Sequence, residues 1–459
     1  MTAEVAVLNR LGVAMASDSA ASVCHNYRTK LYHADKLFML SSSQPVGIMV
    51  NNSSLLTNLP WETVIKVFRE QLGSRSFDRL EGYSEAFFQF LAGRTELFPS
   101  EAQEDFILDS LRNCILNLKE LAVEIVFEQY GFHKGWTEDY MVDLGLDEAL
   151  RRTIERWKSK PSHPAMGHSA DVITRMSKRI YLESVPYIQT ATQTRTELLY
   201  ELARLLVEKE GVMPETISNI VISGFGNKDY LPALQEFEVA GVFGDRLKHR
   251  NIGGVLRITG SEPAAIRTFA QTEVAENFLY GSSMQVHTSM IRNLSSFVIQ
   301  QAEAIIDGYP RTNKAKKNEY KERVIPLIQD GMVALFEEIR KRRDEKYYDP
   351  IIQSIAHLPK NELAQVAATL VGLSSFQKRV SMYEDETVGG PVDVAVITRG
   401  DGFVWVERKH YFKPELNPHY FVNRRAGAAE QPQAGTRFAD KTVIPARDEP
   451  DSSSKGATQ

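Results

Sequence analysis

Three residues near the start of the chain have the types and spacing for nucleophilic chemistry. Thr2 follows Met1, and a methionine before so small a residue is usually trimmed in cells, which would leave the Thr2 hydroxyl beside a free α-amino group. A hydroxyl is weakly nucleophilic at neutral pH, but an N-terminal amine that titrates at about 8 can accept its proton without a histidine. Asp18 and Lys36 carry opposite charges that a sheet could bring beside Thr2. A buried lysine in such a pair would hold positive potential near the amine and favour its neutral form, which is the form that acts as a base.

Short strands at the start of the chain would position these residues. Glu4–Leu8 and Val13–Ser17 are apolar and β-branched, and Asn9–Gly12 supply turn chemistry between them, so a hairpin is predicted. Lys36–Leu40 and Val46–Val50 have the same character. We therefore expect four strands before the first helix.

A helix is predicted between Pro60 and Gly73, because proline suits the first helical position and glycine suits a helix end. The residues between them form an apolar stripe at helical spacing: Trp61, Val64, Ile65, Phe68 and Leu72. Amphipathic stretches of helix length follow from about residue 74 to residue 214. One of them contains Leu198, Leu202, Leu205 and Leu206. We interpret residues 74–214 as a helical insertion.

Strand character returns after this insertion. Ile217–Ile222 and Gly254–Thr259 are predicted strands, with the glycine-rich turn Gly224-Phe225-Gly226 between them. A second helical block begins at about Ala264. Its apolar faces contain Met332, Leu335, Phe336 and Ile339, and then Leu363, Val366, Ala367 and Leu370.

A last hairpin is predicted from Val392–Thr398 and Gly402–Val406, before a tail with little to bury. Strands at both ends of the chain and helices between them describe an α+β layered domain whose two ends share one sheet. The predicted sandwich comprises residues 1–73, 215–263 and 361–423. Residues 74–214 and 264–360 are the two helical insertions, and residues 424–459 are a disordered tail.

Composition excludes several classes of protein. The chain has 459 residues with 43% hydrophobic and 25% charged residues, which is typical of globular proteins. Its net charge of -5 is too near balance to drive binding to nucleic acid. Only Cys24 and Cys114 are present, so no disulfide framework is expected and a reducing cytoplasm fits. No apolar run approaches the roughly 18 residues of a membrane span, so no membrane association is expected.

No metal or cofactor site is predicted. Cys24 is adjacent to His25, and His163 and His168 are five residues apart, so neither pair forms a helical ligand face. No P-loop lysine pattern accompanies the turn at Gly224, so a built-in ATPase is not expected. The basic stretches 311–323 and 340–346 are interleaved with acidic residues, as in solvated helix faces.

Segments from both ends of the chain resemble one family. Thr2, the hairpin that leads to Asp18, and the motifs Lys36-Leu37-Phe38 and Gly47-Ile48-Met49-Val50 resemble a proteasome β-type subunit, a threonine N-terminal nucleophile (Ntn) hydrolase. Asp385 through Gly389-Gly390 into residues 392–399 is similar to the late segment of that family, which pairs beside the nucleophile. The likeness covers roughly residues 2–73, 217–262 and 361–408 and indicates a divergent bacterial-type member. Both insertions lie outside it.

The resemblance implies an αββα sandwich and a set of catalytic residues. By this likeness Thr2 is the nucleophile, Lys36 and Asp18 are its electrostatic partners, and Asp385 is a supporting carboxylate. Asn52 stands where the family has a glycine whose backbone N–H stabilises the oxyanion, and asparagine tolerates unusual backbone angles better than most residues.

The likeness also implies how substrate would bind. Ser22 would lie on the strand that pairs with the substrate backbone. Ala21, Val50 and Ser54 would line the pocket beside the scissile bond. A small or medium apolar residue would then be preferred there.

The sequence departs from the family in three places. The interval from Asp18 to Lys36 is two residues longer, and Lys30 is a competing lysine, although only Lys36 is followed by Leu-Phe as in the family. Phe225 stands near the place of a supporting serine, with Ser223 as a neighbour. Val388 replaces the serine expected before Gly389. Those serines orient the amine in the family.

Two functions are therefore open. The first is hydrolysis of a peptide or amide bond by Thr2 after removal of Met1, with a peptide or protein as substrate and a separate ATPase as a possible partner of unknown identity. The second is a catalytically silent, proteasome-like binding or assembly protein. Because closed homo-oligomers are the common outcome for soluble subunits, we also expect self-association through the insertions and the proteasome-like helices.

Overall fold

The strands of the protein form two main sheets. The computed structural model describes residues 2–25, 28–131, 133–167, 169–188, 190–309, 313–381, 389–410 and 412–419. In chain order the strands are β1 (Ala3–Asn9), β2 (Gly12–Ser17), β3 (Ala20–His25), β4 (Arg28–His33), β5 (Leu37–Met39), β6 (Val46–Asn52), β7 (Leu55–Leu56), β8 (Leu59–Pro60), β9 (Ser218–Gly224), β10 (Ala233–Phe243), β11 (Arg246–Arg257), β12 (Ala264–Ala270), β13 (Asp393–Thr398) and β14 (Gly402–Glu407).

Most helices lie in two long stretches between these strands. They are α1 (Trp61–Leu72), α2 (Leu80–Gly93), α3 (Ser100–Tyr130), α4 (Glu138–Lys158), α5 (Ser169–Ser184), α6 (Gln193–Glu208), α7 (Glu273–Tyr280), α8 (Met284–Gly308), α9 (Lys314–Arg343), α10 (Asp349–Ile355) and α11 (Lys360–Val380). A π-helical turn at Asp344–Tyr348 joins α9 to α10. Among the described residues, no helix combines the length and apolar character that a membrane span requires.

The two main sheets are antiparallel and have five strands each. The first has the order β12-β1-β2-β13-β14, and the second has the order β11-β10-β9-β6-β5. The hairpin predicted at the start of the chain is confirmed, because β1 pairs with β2 with Glu4 opposite Ser17. Strand β13 pairs with the other edge of β2, so the two ends of the chain share one sheet, as predicted.

Alternating side chains show how the layers stack. In β1, Val5 and Val7 pack with α7, α10 and α11, whereas Ala6 and Leu8 face the second sheet. In β6, Met49 faces the first sheet, and its neighbours pack with α1 and α2. Because side chains alternate across a strand, the two sheets lie face to face with a helical layer outside each. The described residues therefore form an α+β fold of four layers.

Helix α1 begins and ends where the sequence predicts. Pro60 precedes it, Gly73 follows it, and the Gly73 N–H donates to the Arg69 carbonyl. All five residues of the predicted stripe are buried: Trp61, Val64, Ile65, Phe68 and Leu72. Helix α2 joins the same core through Tyr83 and Phe87, although it lies within the range predicted as an insertion.

The first helical stretch has its own hydrophobic core. Helices α3 to α6 pack around a cluster that includes Leu111, Leu146, Leu150 and Leu202. Phe243 at the end of β10 belongs to that cluster, so these helices are attached to the second sheet.

The structure differs from the prediction at the start of the second helical block. Residues from Ala264 form strand β12, which pairs with β1 with Ile266 opposite Val7, and the helices begin only at Glu273. Long-range pairing with β1 decides this, because the short segment has no local signal strong enough to distinguish helix from strand. Strand β10 and the β3–β4 hairpin were likewise not predicted.

The glycine-rich turn at Gly224 positions helix α2. A Cβ at Gly226 would lie 2.3 Å from the Cα of Arg79, so no larger residue fits there. The Asp229 carboxylate accepts hydrogen bonds from Gly226 N at 3.0 Å and from Leu80 N at 2.9 Å. The turn is thus a structural link between β9 and the start of α2.

Candidate active site

Thr2 lies at the start of β1 and is only 4% exposed. Its carbonyl accepts a hydrogen bond from Gln271 N at 3.0 Å, just beyond the end of β12. The Asp18 N–H donates to the Ala3 carbonyl at 3.1 Å, which continues the β1–β2 ladder to the edge of the sheet. The backbone of Thr2 is therefore held by Gln271, and that of the next residue is held by Asp18.

The Asp18 carboxylate joins three separate parts of the chain. Its Oδ1 accepts hydrogen bonds from Ala3 N at 3.2 Å and from Lys36 Nζ at 2.7 Å. Its Oδ2 accepts a hydrogen bond from Gly389 N at 3.0 Å. Hydrogen bonds that involve a charged partner are the stronger ones, so these donors fix the position of the Asp18 carboxylate beside Thr2.

Lys36 directly precedes β5 and is buried. Its Nζ also donates to the Ala20 carbonyl, and its own carbonyl accepts from Val50 N at 2.9 Å. Burial lowers the pKa of Lys36, and the negative charges of Asp18 and then Glu4 oppose that shift. The structure brings Lys36 to Asp18, as the sequence predicts.

The late segment packs against the residue that follows Asp18. Ser19 N donates to the Gly389 carbonyl at 3.2 Å, and Ser19 Oγ donates to the Pro391 carbonyl. Gly390 has a φ of 78°, and a Cβ there would lie 2.9 Å from the imidazole of His33. The left-handed φ favours glycine at this position.

Asn52 ends β6 in the left-handed region, with a φ of 66°. This is the backbone conformation that glycine adopts most readily and that asparagine tolerates. Asn52 lies opposite Ser218 in the register with β9. Asn52 therefore has a backbone conformation that asparagine adopts at less cost than most other residues.

The other predicted site residues lie in different surroundings. Ala21 and Ser22 lie on β3, opposite Tyr32 and Leu31 of β4. Asp385 and Val388 fall outside the described residues.

The two remaining pocket residues differ in burial. Val50 is buried in the core between the second sheet and α1. Ser54 is exposed, and its carbonyl accepts a hydrogen bond from Trp61 N at 3.1 Å.

The hydroxyl of Ser223, two residues before Phe225, donates its hydrogen bond to a neighbouring strand. Ser223 Oγ donates to the Ala233 carbonyl at 2.8 Å, on the neighbouring strand β10. Phe225 is buried in the core between the two sheets. This turn therefore contributes packing and a strand contact.

Sequence reasoning missed a buried carboxyl beside the site. Glu4 accepts a hydrogen bond from Ser17 Oγ at 3.2 Å and one from Asn51 Nδ2 at 3.0 Å. Burial raises the pKa of Glu4 to about 7, against the opposing charge of Lys36. Glu4 lies on the same face of β1 as Ala6 and Leu8, so the strand pattern predicts that it faces inward.

A second lysine–carboxylate group was also missed. Lys409 Nζ lies 3.0 Å from Asp393 Oδ2 and 3.3 Å from Asp35 Oδ1, and it donates to the Ala34 carbonyl at 2.8 Å. Asp393 lies opposite Ser17 in the β2–β13 register. Within the described ranges, no three histidine, cysteine, aspartate or glutamate residues form a group that could hold a metal ion.

No family model and no curated protein matches this chain. Solved structures that align with it include Anbu (ancestral beta-subunit) from Yersinia bercovieri, at 11% identity and a TM-score of 0.27, covering 95% of this chain and 99% of that one. Another is the helical assembly of the Anbu complex from Pseudomonas aeruginosa, at 9% identity and a TM-score of 0.26, covering 95% and 99%. A Gly-1 mutant of Anbu from Hyphomicrobium sp. strain MC1 aligns at 8% identity and a TM-score of 0.26, covering 94% and 98%.

Proposed function

We propose that this protein is a threonine-dependent N-terminal nucleophile hydrolase with a proteasome-like sandwich, which cleaves peptide or amide bonds once Met1 is removed. One observation carries the proposal. The Asp18 carboxylate binds the N–H of Ala3, the Nζ of Lys36 and the N–H of Gly389. Three segments that carry the family resemblance thus converge beside Thr2.

The proposed reaction has two steps. Thr2 Oγ attacks the substrate carbonyl as its proton passes to the α-amino group of Thr2, and the Asn52 N–H stabilises the oxyanion. The C–N bond then breaks, and the leaving amine takes the proton from the α-ammonium. Water, activated by the same amine, attacks the acyl ester and releases Thr2. Lys36 and Asp18 tune the amine electrostatically.

A covalent probe tests the nucleophile. A β-lactone or vinyl sulfone is expected to label one site per chain, and Thr2→Ala is expected to abolish that label. Thr194→Ala, at an exposed position of α6, is the matched control and should label as wild type does. Intact mass must show loss of Met1, since a retained methionine removes the proposed base and contradicts the mechanism.

The substrate pocket is a finer part of this proposal. Ala21, Val50 and Ser54 are proposed to line the site for the residue before the scissile bond, which favours small or medium apolar side chains. A fluorogenic peptide panel is expected to show faster cleavage after Leu or Ala than after Lys or Asp. The reverse order would contradict this pocket.

A silent binding or assembly protein is the second candidate. It is favoured by the burial of Thr2, which is 4% exposed, and by Ser223, whose hydroxyl donates to β10. Probe labelling equal to that of Thr2→Ala would support this candidate and contradict the hydrolase.

Self-association is proposed as part of either function. Helices α8 and α9 pack against each other, and large apolar side chains on both are exposed, including Met290, Phe297, Ile305 and Leu327. Light scattering after size exclusion at micromolar concentration should give a mass above the 51.8 kDa of one chain. Leu327→Asp should lower that mass, whereas Leu182→Asp on the exposed face of α5 should not. A wild-type mass near 51.8 kDa would refute the oligomer.

A further inference from the structure

Glu4 forms a hydrogen-bond arrangement that is one proton short when its carboxyl is ionised. Ser17 Oγ lies 3.2 Å from Glu4 Oε1 and 3.1 Å from the Asp18 carbonyl oxygen. A hydroxyl has a single proton, so it can donate to only one of these two acceptors. The other contact is then a close approach of two oxygens with no hydrogen between them, and both Glu4 and Ser17 are 1% exposed.

A proton on Glu4 completes this arrangement. Protonated Glu4 donates to Ser17 Oγ, and Ser17 then donates to the Asp18 carbonyl. The second oxygen of Glu4 still accepts the hydrogen bond from Asn51 Nδ2 at 3.0 Å. Each of these three contacts of Glu4 and Ser17 then has its own hydrogen.

The surrounding charges favour the same form. Lys36 and Asp18 are the charged neighbours of Glu4, and with Glu4 ionised the three groups sum to one negative charge inside the protein. With Glu4 protonated they sum to zero. The positive charge of Lys409 lowers the pKa of Lys36, and Lys409 forms an ion pair with Asp393. Burial of an unbalanced charge is costly, so the neutral set is preferred.

We propose that Glu4 is a positioning residue that controls the reactivity of Thr2 through its own proton. Protonated Glu4 leaves Lys36 and Asp18 as a neutral pair, whereas ionised Glu4 adds a negative charge that holds the Thr2 α-amine in its cationic form. The inference rests on the proposed function, because it assumes a free amine on Thr2. Burial raises the pKa of Glu4 to about 7, so the switch lies in the neutral range.

Glu4→Gln is the decisive variant. Its amide can donate to Ser17 and accept from Asn51, so it copies the protonated form and stays neutral at every pH. Titration of the Thr2 amine should therefore move to lower pH, by on the order of one pH unit. Glu236→Gln is the matched control, because burial also raises the pKa of Glu236 but its charged neighbours are Arg267 and Glu238. That variant should leave the amine unchanged.

The measurement is the pH dependence of α-amine acylation by acetic anhydride, on the full chain that begins at Thr2, and it needs no catalysis. Probe labelling of Thr2 over the same pH range is the second readout, and its acidic limb should move with the amine. Asn51→Ala removes a hydrogen-bond donor that favours ionised Glu4, so the amine titration should shift in the same direction by a smaller amount. This variant provides the test if Glu4→Gln does not fold. An unchanged amine titration in the folded variants would overturn the proposal. A shifted amine without probe labelling would support the coupling and contradict the hydrolase.

Discussion

Two buried lysines, Lys36 at the candidate site and Lys248 on β11, differ in the groups that receive their hydrogen bonds. Lys248 is 0% exposed, and its Nζ donates to the carbonyls of Leu206 at 2.7 Å and Val212 at 2.6 Å. Burial lowers the pKa of Lys248 to about 7. Lys36 is 7% exposed and donates to the Asp18 carboxylate.

The difference separates a structural lysine from one suited to catalysis. Leu206 lies in the last turn of α6, where backbone carbonyls lack helical partners. The hydrogen bond from Lys248 to this carbonyl therefore connects the first helical stretch to β11. It can lose its proton and still donate two hydrogen bonds. Lys36 cannot do so without leaving Asp18 uncompensated, so its charge is coupled to the carboxylates beside Thr2.

Lys36→Met should have the largest effect. It leaves the buried Asp18 carboxylate without its cation, which should lower the free energy of unfolding by about 3–5 kcal/mol. Probe labelling of Thr2 should fall by about 100-fold or more, because the electrostatic support of the amine is removed. Chemical denaturation and labelling kinetics measure the two effects. Labelling at the wild-type rate would show that Lys36 is only structural.

Lys248→Met should affect stability alone. Two buried carbonyls lose their donor, and at about 1–3 kcal/mol each the expected loss in the free energy of unfolding is about 2–6 kcal/mol. Amide exchange should accelerate at the end of α6, while Thr2 labels at the wild-type rate. Slower labelling in this variant would mean that the two lysines are not functionally distinct.

The pH dependence of stability should show both buried groups with opposite signs. The usual pKa of a glutamate is 4.5, and that of Glu4 in the folded protein is about 7. Between pH 4.5 and about pH 7, Glu4 is therefore protonated in the folded state and ionised in the unfolded state, so the free energy of unfolding falls as pH rises. Between about pH 7 and pH 10.5, Lys248 is neutral in the folded state and charged in the unfolded state, so the free energy of unfolding rises with pH. Each slope is at most about 1.4 kcal/mol per pH unit.

Denaturant unfolding at a series of pH values measures this profile. Glu4→Gln should flatten the fall between pH 4.5 and 7, and Lys248→Met should flatten the rise between pH 7 and 10.5. A wild-type minus variant difference that stays constant across its window would contradict the corresponding assignment.

Much of the first sheet was predictable because its signals are local. The alternation in β1 and β2, the turn between them, and the Pro60 and Gly73 boundaries of α1 depend on residues close in sequence. The last hairpin, β13 and β14, was predicted for the same reason. The pairing of Lys36 with Asp18 was suggested by their charges and predicted strand positions, and the family resemblance favoured Lys36 over Lys30.

Local periodicity failed where the partner of an element is far away. Residues 264–270 became a strand because β1 offered an unpaired edge, and a pattern within seven residues does not contain that information. The apolar face predicted on α9 exists as a helical stripe, yet Leu335 and Ile339 are exposed. Periodicity specifies which residues share a face of a helix, but the packing of the other elements determines whether that face is covered.

The sequence by itself determined the strands and helices with strong local patterns and the α+β order of the chain. It also supplied Thr2, Asp18 and Lys36, whose residue types permit nucleophilic chemistry. Only the tertiary structure decided that Glu4, Ser17 and Asn51 meet in one buried group, because they come from three strands of two facing sheets. It also set the burial and the neighbouring charges that raise the pKa of Glu4. The free energy of a charge depends on its distance from water and from other charges, and those distances exist only after the sheets have packed.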